Sequence, residues 1–392
     1  MALPRPSPKI NIKNAMIIGY DGKRAVNNMT GLGNYSRLVI ESVAEAYPAS
    51  TLLVYTPKLS ENPRLQTIRS LHNVEFRLPP PQGFSGSLWR TFGVTNNLKS
   101  DKVQIYHGLS NELPLNIRSA GIPSVVTVHD VIYRRRPQCY NAIDRVLYDF
   151  KYGRSCRNAT RIIAVSERTK ADIVELYGVS PKKIDVVYQG CDASFRKNIS
   201  GDDLEATRRR LLLPQRYILQ VGTIEERKNL ELTVRALSAL PKGVKLLAVG
   251  RDRKGYLGKV KGIAKELGVL DRIDVRSNIT FADLPAVCRM AEVIVYPSFY
   301  EGFGIPVLEG LESRRPVVAA TGSCLEEAGG EAAFYVDPTD VRAMGEIING
   351  ILDGSIPTAE RIESGVEYAT RFRTDDMAQR LMAVYEKTIN SY

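Results

Sequence analysis

Residues 296–320, YPSFYEGFGIPVLEGLESRRPVVAA, place Glu301 and Glu309 on either side of a Gly-Phe-Gly turn. The preceding VIVYPS reads as a buried strand ending at Ser298, and PVVAA as the next one. Pro306 suits the first residue of a helix, where its missing N–H leaves nothing unpaired. Gly302 and Gly304 let the backbone approach a ligand closely. A helix N-terminus behind glycines, at the carboxyl end of a parallel strand, offers free N–H groups to an anion. Glu309 would then lie in the first turn, with Glu301 pointing into the same space. Amides for phosphate and carboxylates for hydroxyls would suit a sugar nucleotide. The spacing alone equally allows Glu309 to complement the helix dipole and Glu301 to be a loop surface residue.

Outward from this stretch, short apolar runs alternate with amphipathic segments twice over. AMIIG, TLLVY, VQIYH, SVVTVHD, RIIAVS and IDVVY precede Gly190, with helical patterns at 32–46 and 167–177; YILQVG, KLLAVG, IDVRS, VIVYPS, PVVAA and AAFYVD follow it. Strands alternating with helices imply two α/β domains, each a doubly wound Rossmann-like parallel sheet. A length of 392 residues also favours two cores over one. Residues 1–190 read as the first domain, 191–374 as the second, and 375–392 as a final helix. Ligands of facing sheets bind in the cleft at the carboxyl ends of their strands.

Several residues fall at that edge. In VGTIEERKNL, strand YILQVG ends at Gly222, Asn229 can cap the next helix, and Arg227 and Lys228 stand before its first turn. Such cations could neutralise a diphosphate leaving group, although exposed loop cations are the commoner case. Gly31 and Gly33 in MTGLGNYS form a glycine turn that lacks the third glycine of a dinucleotide fingerprint. His107 and His129 each end a predicted strand, His129 on the clearer one.

Composition narrows the setting. The chain is 44% hydrophobic and 25% charged, as expected of a globular protein. Its five scattered cysteines form no CxxC pair, so neither a zinc site nor a disulfide framework is expected, and a reducing cytoplasm is the simplest location. The first fourteen residues lack the apolar core of a signal peptide. The net charge of +11 is uneven: residues 1–190 hold 26 Lys and Arg against 14 Asp and Glu, and the remainder 28 against 29. A basic first half points to an anionic partner or to a solvated basic face. Arg134, Arg135 and Arg136 between tyrosines, Lys151, Arg154 and Arg157 beyond them, and Trp89 with Phe84 in a Gly- and Pro-rich loop would suit peripheral contact with an anionic membrane. No nucleic-acid-binding module is present.

Taken together, PSFYEGFGIPVLEG resembles the E-x7-E motif of retaining GT-B glycosyltransferases of the fourth sequence family (glycosyl transferases group 1). VGTIEERKNL resembles that family's G-T-x-x-x-R-K-N loop. GLGNYSRLVI, YHGLSNELP, TVHD, IIAVSERTKADI and SCLEEAGGEAAFYVDPTD resemble further blocks in the same order, closest to the mannosyltransferase-like branch. The resemblance implies that Glu309 holds the nucleotide ribose and Glu301 the donor sugar, with amides around Gly302, Phe303, Gly304 and Ile305 on sugar or phosphates. It implies that Arg227 and Lys228 bind the diphosphate, that His129 faces the donor sugar, and that Gly31, Gly33 and Gly222 admit the donor. Residues 375–392 would cross back to the first domain. No metal or other cofactor is implied, and no strand-end DxD is seen. The implied reaction moves a hexose, mannose from GDP-mannose in the first instance, to a glycan or lipid-linked acceptor in surface-glycan synthesis at the inner membrane face. His107, Trp89 and the three arginines fall on the acceptor or membrane side. The rivals are a phosphorylase or epimerase of the same fold and a non-catalytic membrane or polyanion binder. Departures from the family pattern include Thr223 in place of a Gly-Arg pair, ESRRPVV with Arg314 and Arg315, and Glu326 where proline is usual.

Overall fold

The computed structural model describes residues 15–81 and 85–392; Phe84, expected at a membrane face, lies outside them. Thirteen parallel strands among these residues form two sheets. The first contains β1 (Ile17–Asp21), β2 (Thr51–Tyr55), β3 (Val74–Arg77), β4 (Ile105–Gly108), β5 (Ser124–Val128), β6 (Arg161–Ala164) and β7 (Ile184–Val186), in the order β3-β2-β1-β4-β5-β6-β7. The second contains β8 (Tyr217–Val221), β9 (Lys245–Val249), β10 (Ile273–Arg276), β11 (Val293–Tyr296), β12 (Val317–Ala320) and β13 (Phe334–Val336), in the order β10-β9-β8-β11-β12-β13. The helices that matter most to the site are α1 (Gly31–Ala46), α2 (Ala142–Asn158), α3 (Glu167–Tyr177), α4 (Leu230–Leu237), α5 (Ile305–Glu312) and α6 (Thr374–Asn390).

These are two doubly wound sheets, as the alternation implied. The one strand it does not announce is β3, VEFR, an edge strand whose residues alternate in polarity and none of which is fully buried. A continuous apolar run marks only strands covered on both faces. In each sheet the strand order reverses direction once, between β1 and β4 and between β8 and β11. The loops leaving β8 and β11 carry Gly222, Arg227, Lys228 and Glu301. The topology therefore gathers the second domain's candidate residues at its switch point.

The last helix belongs to the first domain's core. Met377, Ala378, Leu381, Met382 and Tyr385 of α6 are buried with Ile18, Val39, Ile40 and Val43 of β1 and α1. Among the described residues no helix is long and apolar enough to cross a membrane. Leu381 is fully buried, so Leu381→Ala should cost about 2–5 kcal/mol. Urea unfolding followed by a first-domain probe should show the loss, while the second domain's transition stays in place.

Candidate functional site

The glycines at the mouth of the second sheet have steric reasons for being there. Gly222 has φ +143, a conformation few side chains tolerate, and its carbonyl would lie 1.8 Å from a Cβ on Gly250. Beyond it, Glu226–Lys228 form a single 3-10 turn that ends at Asn229 in the left-handed conformation, φ 56. Asn229 does not cap α4 with its side chain. Its amide donates instead to the carbonyls of Pro297 (3.0 Å) and Pro338 (2.7 Å), tying this turn to the loops after β11 and β13. The Phe299 N–H donates to the Arg227 carbonyl at 2.9 Å, so the turn and the glutamate loop are built as one piece.

Within that frame, Glu301 is buried and accepts from Lys228 Nζ at 2.6 Å; it also pairs with Arg227 Nη1 at 2.8 Å. The Tyr296 hydroxyl donates to the same carboxylate oxygen at 3.2 Å, and Lys228 also donates to Tyr296. Arg227 further engages Glu225 (2.7 Å) and the Tyr300 carbonyl (2.9 Å). Burial alone would raise the Glu301 pKa, but Arg227 and Lys228 overcome it and hold the acid at about 2. Burial lowers the Lys228 ammonium below its ordinary value, and Glu301 opposes that shift. The result is a largely buried cluster with a firmly ionised carboxylate between two cations.

Glu309 is its opposite. It is the fifth residue of α5, past the first turn where the spacing had placed it, because the helix begins at Ile305 with Pro306 second. The side chain is buried, and no hydrogen bond or ion pair reaches it among the described residues. Burial, aided by Asp192, raises its pKa to about 8. At the start of α5, Phe303 and Gly304 contribute N–H groups that find no backbone acceptor among the described residues. A Cβ on Gly304 would come 2.8 Å from that of Ala328, and Cys324 Sγ donates to the carbonyls of Glu301 (3.2 Å) and Phe303 (3.1 Å).

The first domain meets this loop directly. A Cβ on Gly302 would lie 1.7 Å from the His129 carbonyl, so this glycine is where the two domains touch. Its carbonyl accepts from Ser166 Oγ (2.6 Å) and Thr169 Oγ1 (3.1 Å) at the start of α3. Glu327 reaches across to accept from the N–H groups of Glu167 (2.7 Å) and Arg168 (2.9 Å), closing the N-terminus of α3 from the other domain. The His129 ring is buried, with Nε2 at 2.8 Å from the Leu109 carbonyl. A carbonyl only accepts, so Nε2 carries the proton and Nδ1 is the lone-pair atom, with the Gln189 amide 3.4 Å away. Burial lowers the His129 pKa to about 4, leaving the ring neutral near pH 7. Asp130 beside it is pushed up by burial, against the pull of the Ile132 N–H and Arg227.

Other expected residues are placed differently. Gly33 is packed so tightly that a Cβ would lie 1.8 Å from the Asn28 carbonyl; at Gly31 an added Cβ meets nothing. Gly33 therefore serves the turn, while Gly31 leaves open space. His107 does not face the cleft: it is fully buried between Tyr385 and Thr127, each 2.7 Å from a ring nitrogen. Trp89 is no interfacial anchor, being buried with its indole N–H on Asn97 at 2.8 Å. Nor are the three arginines a free basic stripe. Arg134 pairs with Asp149 at 2.7 Å, Arg135 with Asp172 and Glu175, and Arg136 lies over the Phe299 ring at 5.2 Å. Tyr296, Cys324 and Glu327 were missed. Tyr296 ends a strand at the ligand edge and was legible there, whereas the partners of Cys324 and Glu327 are set by tertiary contacts.

Residues 204–368 match the family described as Glycosyl transferases group 1, and residues 37–195 match Glycosyltransferase Family 4. Together the two matches span most of the chain, and both are to glycosyltransferases. It is 29% identical to the Escherichia coli O-antigen chain mannosyltransferase B over 74% of its own length and 76% of the relative's. It is 28% identical to the MMP alpha-(1->4)-mannosyltransferase of Mycolicibacterium hassiacum, over 70% and 68%. The Anabaena protein HepE in complex with UDP-glucose superposes with a TM-score of 0.76 at 19% identity, over 95% of this chain and all of that one. WaaG, a glycosyltransferase involved in lipopolysaccharide biosynthesis, does so at 0.70 and 19%, over 94% and 99%. The fold is GT-B.

Glu309 yields a prediction whose sign follows from its raised pKa. Between its unfolded value near 4.5 and about 8 the folded chain keeps a proton that the unfolded chain releases, so stability falls across that window as pH rises. Glu309→Gln removes the penalty. The variant should melt at least about 2 °C above the parent at pH 8, with the gain vanishing near pH 4. An equal gain at both pH values would contradict the assignment.

Proposed function

We propose that this glycosyltransferase moves a hexose, with retention at the anomeric carbon, from a nucleoside diphosphate sugar to a hydroxyl of a glycan or lipid-linked acceptor. The observation that supports it most directly is the buried Arg227–Lys228–Glu301 cluster at the switch point of the second sheet. A diphosphate placed there would compete with Glu301 for two pre-positioned cations and would also reach the N–H groups of Phe303 and Gly304. Negative charge that builds on the departing diphosphate would be stabilised without reorganisation. This is the work a divalent ion does in other transferases, so we read the reaction as metal-independent. Glu301 would then turn toward donor hydroxyls, and Glu309, lacking a protein partner, would take the ribose hydroxyls.

Retention by double displacement needs a carboxylate free to attack. Glu301 is committed to its cations, and no other carboxylate of the second-domain loop is free to take that part. Front-side attack within an ion pair is therefore our reading. Neutral His129, with Nδ1 unprotonated, would accept a hydrogen bond from the donor sugar. The mannosyltransferase relatives favour mannose, and GDP-mannose is the donor we propose. The UDP-glucose bound to the HepE neighbour makes UDP the natural comparison.

Calorimetry with GDP and UDP tests this. GDP should bind the parent, and Lys228→Ala should weaken binding by about 2–4 kcal/mol, roughly 30- to 1,000-fold. If neither nucleotide binds, the reading falls.

A further inference from the structure

The surface of α2 is inverted relative to an ordinary surface helix. Ile143 (81% exposed), Val146 (72%), Leu147 (44%) and Phe150 (53%) recur at i, i+3, i+4 and i+7 on the face turned away from the protein. The face toward the protein carries the buried Gly153, Ser155 and Cys156. A contiguous apolar stripe of this kind on a soluble surface marks an interaction site. Arg145, Arg154 and Arg157 are exposed along the same helix and have no carboxylate partner among the described residues. The nearby acids are already engaged: Asp149 by Arg134, Asp144 by Asn141, and Glu112 by Arg90 and Lys151.

Beside the stripe runs a furrow of about 90 Å³, with Leu147, Phe150 and Lys151 on one wall and Thr91 and Leu115 on the other. Its inner end is lined by Asp21 and Arg90, paired there, and by Tyr106. Asp21 ends β1, so the furrow leads from the stripe to the carboxyl edge of the first sheet.

We propose that α2 is the membrane-docking element of this protein, lying against an anionic lipid surface with Ile143, Val146, Leu147 and Phe150 in the interface and Arg145, Arg154 and Arg157 on lipid headgroups. The unpaired cations decide the occupant. A second copy seated symmetrically on the stripe would bring arginines against arginines, whereas anionic headgroups neutralise them. The inference rests on the reading above for its purpose: a lipid-linked acceptor held at the bilayer could present its head along the furrow to the cleft. It also narrows the expected membrane face to this helix, because Trp89 is buried and Arg134, Arg135 and Arg136 already have partners within the protein.

Co-sedimentation of the full chain with phosphatidylcholine vesicles, with and without phosphatidylglycerol, tests it. The parent should sediment with the anionic vesicles, less so at high salt. Val146→Glu with Phe150→Glu should weaken that binding by more than about tenfold. Arg154→Ala with Arg157→Ala should weaken it and flatten its salt dependence. These side chains face solvent, so GDP binding should be unchanged in both variants; loss of GDP binding by the parent would instead count against the donor reading. The proposal is overturned if the parent ignores anionic lipid or if the stripe variant sediments like the parent. It is equally overturned if the parent is a dimer that the stripe variant dissolves.

Discussion

The site depends on one buried carboxylate. Glu301 pairs with Lys228 and shares Arg227 with Glu225 in a place where Lys228 could not be held alone, because an unpaired buried charge costs several kcal/mol. The same ion pair sets the shape of the loop around it. Arg227 grips the Tyr300 carbonyl and its own carbonyl receives the Phe299 N–H, so the chain turns sharply just before Gly302. That turn brings Gly302 against His129 and Tyr300 against Arg168 and Asp172. A side chain at position 302 would displace the first domain's backbone. The glycine is demanded by domain contact as much as by any ligand.

Glu301 and Glu309, with seven residues between them, lie in opposite surroundings. Glu301 sits between cations and is ionised at any ordinary pH; Glu309 is equally buried but has nothing to pair with, and keeps its proton to about pH 8. The first is held in place by its partners. The second carries an unmet hydrogen-bonding capacity that the fold tolerates at a cost in stability. Such an unpaired group is what ligand hydroxyls would satisfy, and the asymmetry follows from neighbours outside the motif: Arg227 and Lys228 on one side, Asp192 on the other.

Much of this was legible in the chain. Apolar runs located twelve of the thirteen strands, most of them covered on both faces; β3, VEFR, escaped, although the edge strand β10, IDVR, alternates in the same way and was read. The carboxylates, cations and glycines of the site are short-range features at strand ends, where periodicity and turn chemistry speak directly. What could not be read is partner choice across long separations. Arg135 looks like a free cation until α3 brings Asp172 and Glu175 to it. Trp89 looks like a surface aromatic until its indole finds Asn97. Asn229 was expected as a cap because its type and position fit, yet its amide is drawn to two carbonyls that are 68 and 109 residues away.

His107 shows what such a misplacement can conceal. It occupies the strand edge where active sites form, yet both its nitrogens are satisfied inside the core. One accepts or donates to Tyr385 on α6, and the other to Thr127, whose hydroxyl also meets Tyr35 at 3.0 Å. Tyr35 in turn packs edge-on against the His129 ring, 4.6 Å between centroids. The last helix is thus joined through a buried polar chain to the floor beneath His129, and moves with the first domain. Among the described residues the backbone passes from the first core to the second between Val187 and Cys191, and back between Phe372 and Met377. Any motion that separates His129 from Gly302 must be absorbed in those two short segments, with the Glu327 contacts on α3 released as they open.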